Sequence, residues 1–249
     1  MNAIEQYIKE RDEQVRKNMK SGGLSHAVDS FTEHLVKSNY IKNFTWMGVP
    51  ILQYPTDLMV MQELLWQIKP DVIVEIGTAF GGMLMFYASI LESIEGGGCP
   101  MSKVLGVDID IRRDNSERLL YGNPLAHRIE LFEGSSIDIW TKEFVESFIN
   151  NMRAKKVLIS LDSNHTHSHV LQELNLYSSL VSVGSYIIVF DTSLEFYGNH
   201  DNREWGKGNS PYTAIQEFLK DNDSFVVDKE IEQRAIITSA IGGWLKRIK

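Results

Sequence analysis

The sequence predicts an α/β fold built on a doubly wound, mostly parallel sheet whose last strand is antiparallel, with a helical extension at the amino terminus. Two observations carry this. Short β-branched runs near residues 71–76, 103–108, 127–132, 156–161 and 184–190 alternate with helical segments, the pattern of parallel strands joined by crossover helices and covered on both faces. The first run, Val72-Ile-Val-Glu75-Ile-Gly77, passes through Gly81 and Gly82 into a helix over 83–92, and the second ends in Asp108.

Taken in order, residues 1 to about 40 read as helical, with Ile4, Ile8, Val15 and Met19 sharing part of one face and charges filling the rest. Residues 1–58 are assigned to this extension and a linker, and 59–249 to the main domain. The apolar stripe suits packing on that domain or on a second subunit, and a homo-oligomer is expected. The linker from Phe44 to Asp57 is aromatic and broken by Pro50 and Pro55. It leads into a helix over 57–68 with Asp57 or Thr56 as N-cap. Beyond the fifth strand, 192–209 is a long polar and aromatic stretch of the kind that covers substrates. Phe225–Val227 and Arg234–Ser239 read as two closing strands, and the segment between them is too short for a crossover helix, so they pair antiparallel.

At 249 residues, 43% hydrophobic and 23% charged, the chain has enough apolar content for a substantial core. A net charge of −8 argues against a nucleic-acid partner, which calls for a basic stripe, and favours a small or neutral substrate. Cys99 is the only cysteine, so an intrachain disulfide and a cysteine zinc site are excluded; its glycine-rich surroundings read as a surface loop. No apolar run is long enough to span a bilayer, and the charged first residues do not form a secretory signal. A cytoplasmic location is the expectation.

In open α/β sheets ligands bind beyond the carboxyl ends of the strands. Glycines at the first strand-helix turn let the backbone approach a ligand, and an acid ending the second strand can accept from a ribose diol. The spacing E-x-G-x-x-x-G-G departs from the dinucleotide pattern, and no P-loop is present. A carboxylate at Glu75 repels a pyrophosphate and suits an amino group and a sulfonium, which points to S-adenosylmethionine. Alternatively, Gly77, Gly81 and Gly82 only permit a tight turn and close helix packing. After the third strand, Ser135 and Ser136 can border an adenine; a helix N-cap at Ser136 is an equal reading.

The fourth and fifth strands end in Leu161-Asp162-Ser-Asn-His165-Thr-His167-Ser-His169 and Val189-Phe190-Asp191. Asp162 and Asp191 converging on one mouth suit a hard cation such as Mg²⁺. His165 is then placed to act as general base on a hydroxyl. Competing readings give Asp162 a capping role before Thr166, leave His167 and His169 facing solvent, or pair His165 with His169 on zinc.

Beyond these individual readings, the chain resembles the cephalosporin hydroxylase-like family of class I S-adenosylmethionine-dependent methyltransferases, which includes rhamnosyl and macrolide-sugar O-methyltransferases. The likeness runs from about Phe44 to the carboxyl end. It rests on Phe44-Thr-Trp-Met-Gly, Gln53-x-Pro55-x-Asp57, Glu75-Ile-Gly-Thr-Ala-Phe-Gly-Gly82, Leu161-Asp-Ser-Asn-His-Thr-His167 and Trp205-Gly-Lys-Gly-Asn209. It implies a Rossmann-like seven-stranded sheet, cofactor binding at Glu75, Gly77 and Asp108, and methyl transfer to a hydroxyl of a sugar, nucleotide-sugar or glycosylated metabolite. It also implies Mg²⁺ on an aspartate matching Asp162 and a Glu-Asp pair after the fifth strand, with a histidine base matching His165. Here that pair reads Phe190-Asp191, so one carboxylate is missing, and Glu195 in the following loop is the nearest substitute. Trp205 and Tyr197 are placed to stack on a substrate or to hold their loop down. Two other functions are weighed against methyl transfer: an iron oxygenase using Asp162, His165 or His167, and Asp191, and a non-catalytic cofactor-binding subunit.

Overall fold

The computed structural model of the chain describes residues 2–96, 102–198 and 202–249; Cys99 and the pair His200-Asp201 lie outside them. The amino-terminal segment forms two helices, α1 (Ala3–Asn18) and α2 (Gly22–Lys37). Asn2 and Glu5 close a capping box on α1, and Ser21 caps α2 by accepting from the Leu24 amide, so the helical amino terminus is divided in two at Met19–Ser21, just before Gly22 and Gly23. The aromatic linker contains a small antiparallel hairpin, β1 (Phe44–Trp46) and β2 (Val49–Ile51). The chain then enters α3 (Pro55–Ile68), with Tyr54 at the N-cap and Pro55 in the first turn, where its missing N–H costs nothing. Neither proposed cap residue caps this helix. The Thr56 hydroxyl donates to the Ile237 carbonyl, and the buried Asp57 carboxylate accepts from the Ser239 amide at 2.8 Å.

The main sheet follows as β3 (Val72–Ile76), α4 (Gly82–Glu95), β4 (Lys103–Asp108), α5 (Arg113–Leu120), β5 (Ile129–Glu133), α6 (Ile139–Asn151), β6 (Val157–Leu161), α7 (His167–Tyr177), β7 (Tyr186–Val189), α8 (Pro211–Asp221), β8 (Phe225–Val227), α9 (Lys229–Ala235) and β9 (Trp244–Arg247). Its order is β5-β4-β3-β6-β7-β9-β8, with β9 antiparallel to both neighbours and the first five strands parallel. The chain order reverses between β3 and β6, which opens a crevice at their carboxyl ends.

The strand expected at 234–239 is absent. Arg234 and Ala235 complete α9, which Asp228 caps by accepting from the Glu230 amide, and the last strand lies further on at 244–247. The β-branched run Ile236-Ile237-Thr238 is turned instead toward α3, where the Ile237 carbonyl and the Ser239 amide are bonded across the fold. Alternation along the strands divides two apolar layers. Ile73, Val104, Leu158 and Ile188 pack with α3 and α4, while Val72, Val74, Leu105 and Ile159 pack with α6, α7 and α8. Among the described residues, no helix is long and apolar enough to cross a membrane.

Candidate functional site

Five strand ends, of β5, β4, β3, β6 and β7, lie side by side, held by four ladder bonds donated from the residue that follows a strand. The Gly77 amide donates to Val107 (2.8 Å), Gly134 to Asp108 (2.8 Å), Asp162 to Ile76 (2.7 Å) and Phe190 to Leu161 (3.0 Å). A cavity of about 320 Å³ opens above them, with Gly77, Asp108, Ser135, Ser136, Asp162 and His169 in its wall. Gly77 sits at φ +88°, and a Cβ there would run into the backbone carbonyl of Asp162. Only glycine fits.

Asp108 organises this turn: one carboxylate oxygen accepts from the Thr78 amide (2.7 Å) and the Ala79 amide (3.2 Å), the other from the Asp110 amide (3.1 Å). The other two glycines of this turn, Gly81 and Gly82, lie outside the cavity wall. Gly81 packs on Leu119 at φ +85°, and Gly82 lies against the backbone of Pro50 and Ile51, so both answer to the turn-and-packing reading. Glu75 is buried beneath the turn, with one carboxylate oxygen lacking a partner among the described residues. Burial raises its carboxyl well above the ordinary range, and the nearby Asp108 adds to the rise.

A second cavity of about 400 Å³ lies between α2 and the segment after β7, with Asn39, Tyr54, Asp191, Ser193 and Leu194 in its wall. Asp162 borders the first cavity and Asp191 the second. Donor atoms of Asp162, His165 and Asp191 all fall within 4.8 Å of one another, and His165 Nε2 is 3.2 Å from Asp191 Oδ2. Asp191 holds a left-handed backbone at φ 55°, a conformation Asp tolerates better than most residues. The His165 ring meets the edge of Trp205, centroids 5.0 Å apart, and Arg203 lies over the same indole. Burial raises the Asp162 carboxyl well above its usual range; Asp191 and Glu75 add repulsion, and a hydrogen bond from Gln53 opposes it. Tyr54 is pushed up to about 12 by burial and by Asp191 and Asp57.

Two carboxylate oxygens and one ring nitrogen at this spacing fit a divalent cation that keeps water in its other positions. Phe190 adds nothing to that set: it is buried in the core with its ring edge-on to Trp244. Glu195 is committed elsewhere, accepting from the Gly208 amide (2.9 Å) and the Ser210 hydroxyl (2.6 Å). Tyr197 donates to Asp29 of α2 at 2.7 Å.

Several capping and solvent readings are corrected. Asp138, not Ser136, precedes α6, and Thr166, not Asp162, precedes α7. His167 is bonded to Thr213 (2.8 Å) and paired with Glu217 (3.2 Å), away from the carboxylate pair. His169 turns inward, with Nε2 2.9 Å from Ser136 Oγ and 3.2 Å from Glu173 Oε1. It shares no cluster with His165, so the zinc pairing fails. Sequence reasoning missed Gln53 and Glu173 as parts of this region. Gln53 donates to Asp162 at 3.2 Å across 109 residues, and Glu173 is fully buried beside the first cavity. A glutamate placed one helical turn after a histidine was the available signal for the latter.

The comparisons with known proteins agree with this architecture. A family model described as Rhamnosyl O-methyltransferase/CmcI matches residues 38–248. A rhamnosyl O-methyltransferase of Mycobacterium tuberculosis is 33% identical over 208 residues, covering 82% of this chain and 78% of its own. One from Mycobacterium leprae is 30% identical over 234 residues, covering 91% and 95%. The fold is also that of a solved CmcI structure with magnesium and S-adenosylmethionine, at TM-score 0.58 and 19% identity over 84% of this chain and 78% of that one. The chain therefore belongs to the rhamnosyl O-methyltransferase/CmcI family of S-adenosylmethionine-dependent methyltransferases.

Proposed function

We propose that this chain methylates a hydroxyl of a sugar, presented as a nucleotide-sugar, a glycan or a glycosylated metabolite, with His165 as general base. One observation carries the reading: two cavities lie to either side of the carboxylate pair, Asp162 in the wall of one and Asp191 in the wall of the other, with His165 beside both and 3.2 Å from Asp191. The first cavity takes S-adenosylmethionine, whose sulfonium supplies the methyl group. The sugar enters the second. Gly77 gives the backbone room beside the cofactor, Asp108 accepts from the ribose, and Ser135 and Ser136 border the adenine. Burial raises the Glu75 carboxyl, and a cation lying above it would favour its anion.

With Nε2–H donating to Asp191, His165 keeps its Nδ1 lone pair for the acceptor's proton, and Asp191 then stabilises the imidazolium. Fixing two reactants across one wall makes the transfer effectively unimolecular. Were a divalent ion bound, Asp162, His165 and Asp191 would hold it and it would polarise the acceptor oxygen. A ring nitrogen engaged on the ion no longer serves as base through that atom.

Dialysed protein, labelled S-adenosylmethionine and a panel of sugar nucleotides and glycosides, each with and without chelator, test the reading. Label on a sugar oxygen is expected, with activity kept in chelator. Binding of S-adenosylhomocysteine with no transfer to any sugar would favour a cofactor-binding subunit instead.

A further inference from the structure

Behind the wall of the first cavity lies a polar group that the methyl-transfer chemistry leaves unused. Glu173 of α7 is fully buried, and its Oε1 receives the hydroxyls of both Ser136 and Ser163 at 2.5 Å each. His169 Nε2 adds a third contact to the same oxygen at 3.2 Å, while Oε2 has no partner among the described residues. Ser136, Ser163 and His169 all line the cavity, whereas Glu173 stands behind them.

A serine hydroxyl has one proton and two lone pairs, and an ionised carboxylate only accepts. His169 Nε2 also lies 2.9 Å from Ser136 Oγ and 3.5 Å from Ser163 Oγ. With the ring proton on Nε2 it can only donate there, so with Glu173 as the carboxylate both serine protons go to Glu173 and the serine oxygens offer the cavity lone pairs alone. The Tyr177 hydroxyl holds the same loop from below, donating to the Ser136 carbonyl at 2.6 Å. That bond fixes the loop that carries Ser136.

We infer that Glu173 is a positioning residue that turns Ser136 and Ser163 into obligate hydrogen-bond acceptors, and so selects the 6-amino group of adenine over a 6-oxo purine. This rests on the reading that the cavity holds the nucleoside of S-adenosylmethionine. The selection follows from polarity. Adenine presents a donating amino group at this edge, whereas hypoxanthine presents a carbonyl that would face two acceptors with no proton between them. Discrimination against an analogue that leaves site polar groups unpaired is far larger than discrimination by size.

Isothermal calorimetry on the full chain with S-adenosylhomocysteine and S-inosylhomocysteine tests this. The wild type is expected to prefer the adenosyl compound by about tenfold or more, the ratio for one good hydrogen bond. Glu173→Gln frees the serine protons to point either way, and the ratio should shrink to within about threefold. Ser136→Ala and Ser163→Ala, which spare the carboxylate, should each lower the ratio too and serve if the glutamine variant fails to fold. Equal affinity of the wild type for both compounds, or an undiminished ratio in folded variants, overturns the inference. Failure of the wild type to bind either compound overturns the cofactor reading itself, and this proposal with it.

Discussion

Removing the His165 imidazole should separate chemistry from binding, because a base acts on the acceptor while the cofactor cavity is lined by other residues. His165→Ala is expected to lower kcat by about 10²–10⁴-fold with S-adenosylhomocysteine affinity unchanged; parallel losses in both would assign the ring to packing against Trp205. Asp108→Ala should weaken S-adenosylhomocysteine about ten- to a hundredfold by calorimetry. Asp108→Asn should recover part of this, since its amide oxygen can still accept from Thr78 and Ala79. Equal affinity in the alanine variant would take Asp108 out of the site. Gly77, Asp108, Ser135, Ser136, Asp162, His165 and Asp191 were legible in the sequence as neighbours because each ends or follows a strand in a parallel sheet, and the carboxyl ends of such a sheet lie along one edge. Gln53 and Glu173 were not. Their roles depend on hydrogen bonds between elements, one of them spanning 109 residues, and for Glu173 the local signal was its place one helical turn after His169.

At the scale of elements, Phe190 shows how a strand decides which residues can reach the site. Its side chain goes to the apolar layer with Trp244, and the next residue, Asp191, turns through a left-handed backbone toward His165. Phe190→Ala should cost about 3–5 kcal/mol in a denaturant titration, as expected for emptying a filled aromatic site. Phe190→Glu should destabilise at least as much, since a carboxylate there would be buried without a partner. A soluble Glu variant of wild-type stability with tighter metal binding would show that the strand end can rotate. The five parallel strands match their expected bounds to within one residue at each end except at 127–132 and 184–190, where the ladders begin two residues later. The absence of the strand expected at 234–239 has a physical cause: β-branched residues favour ladders, whereas here the segment connects α9 to α3 through two backbone groups.

For the molecule as a whole, the bond from Ser239 to Asp57 joins parts of the chain that composition treats as separate. Burial raises the Asp57 carboxyl from 3.8 to about 6, with hydrogen bonds from Thr238 and Ser239 opposing the rise. Between those values the folded chain holds a proton that the unfolded chain has released, so stability falls as pH climbs through the window and levels off above it. The cost above pH 6 is on the order of 3 kcal/mol for this group. Thermal melts from pH 4.5 to pH 7 should show the decline, and Asp57→Asn should make it shallower; superimposable slopes would mean that the carboxyl does not titrate there. The same linkage has a consequence in time. Gln53 reaches Asp162 while its own oxygen accepts from Ser239, 186 residues further along the chain, so the partner of a site carboxylate is held by one of the longest loop closures in the fold. Contacts so distant in sequence form late. On dilution from denaturant, far-UV circular dichroism should return first and S-adenosylhomocysteine binding measurably afterward, leaving a brief interval in which the chain has its helices and strands but no working pocket.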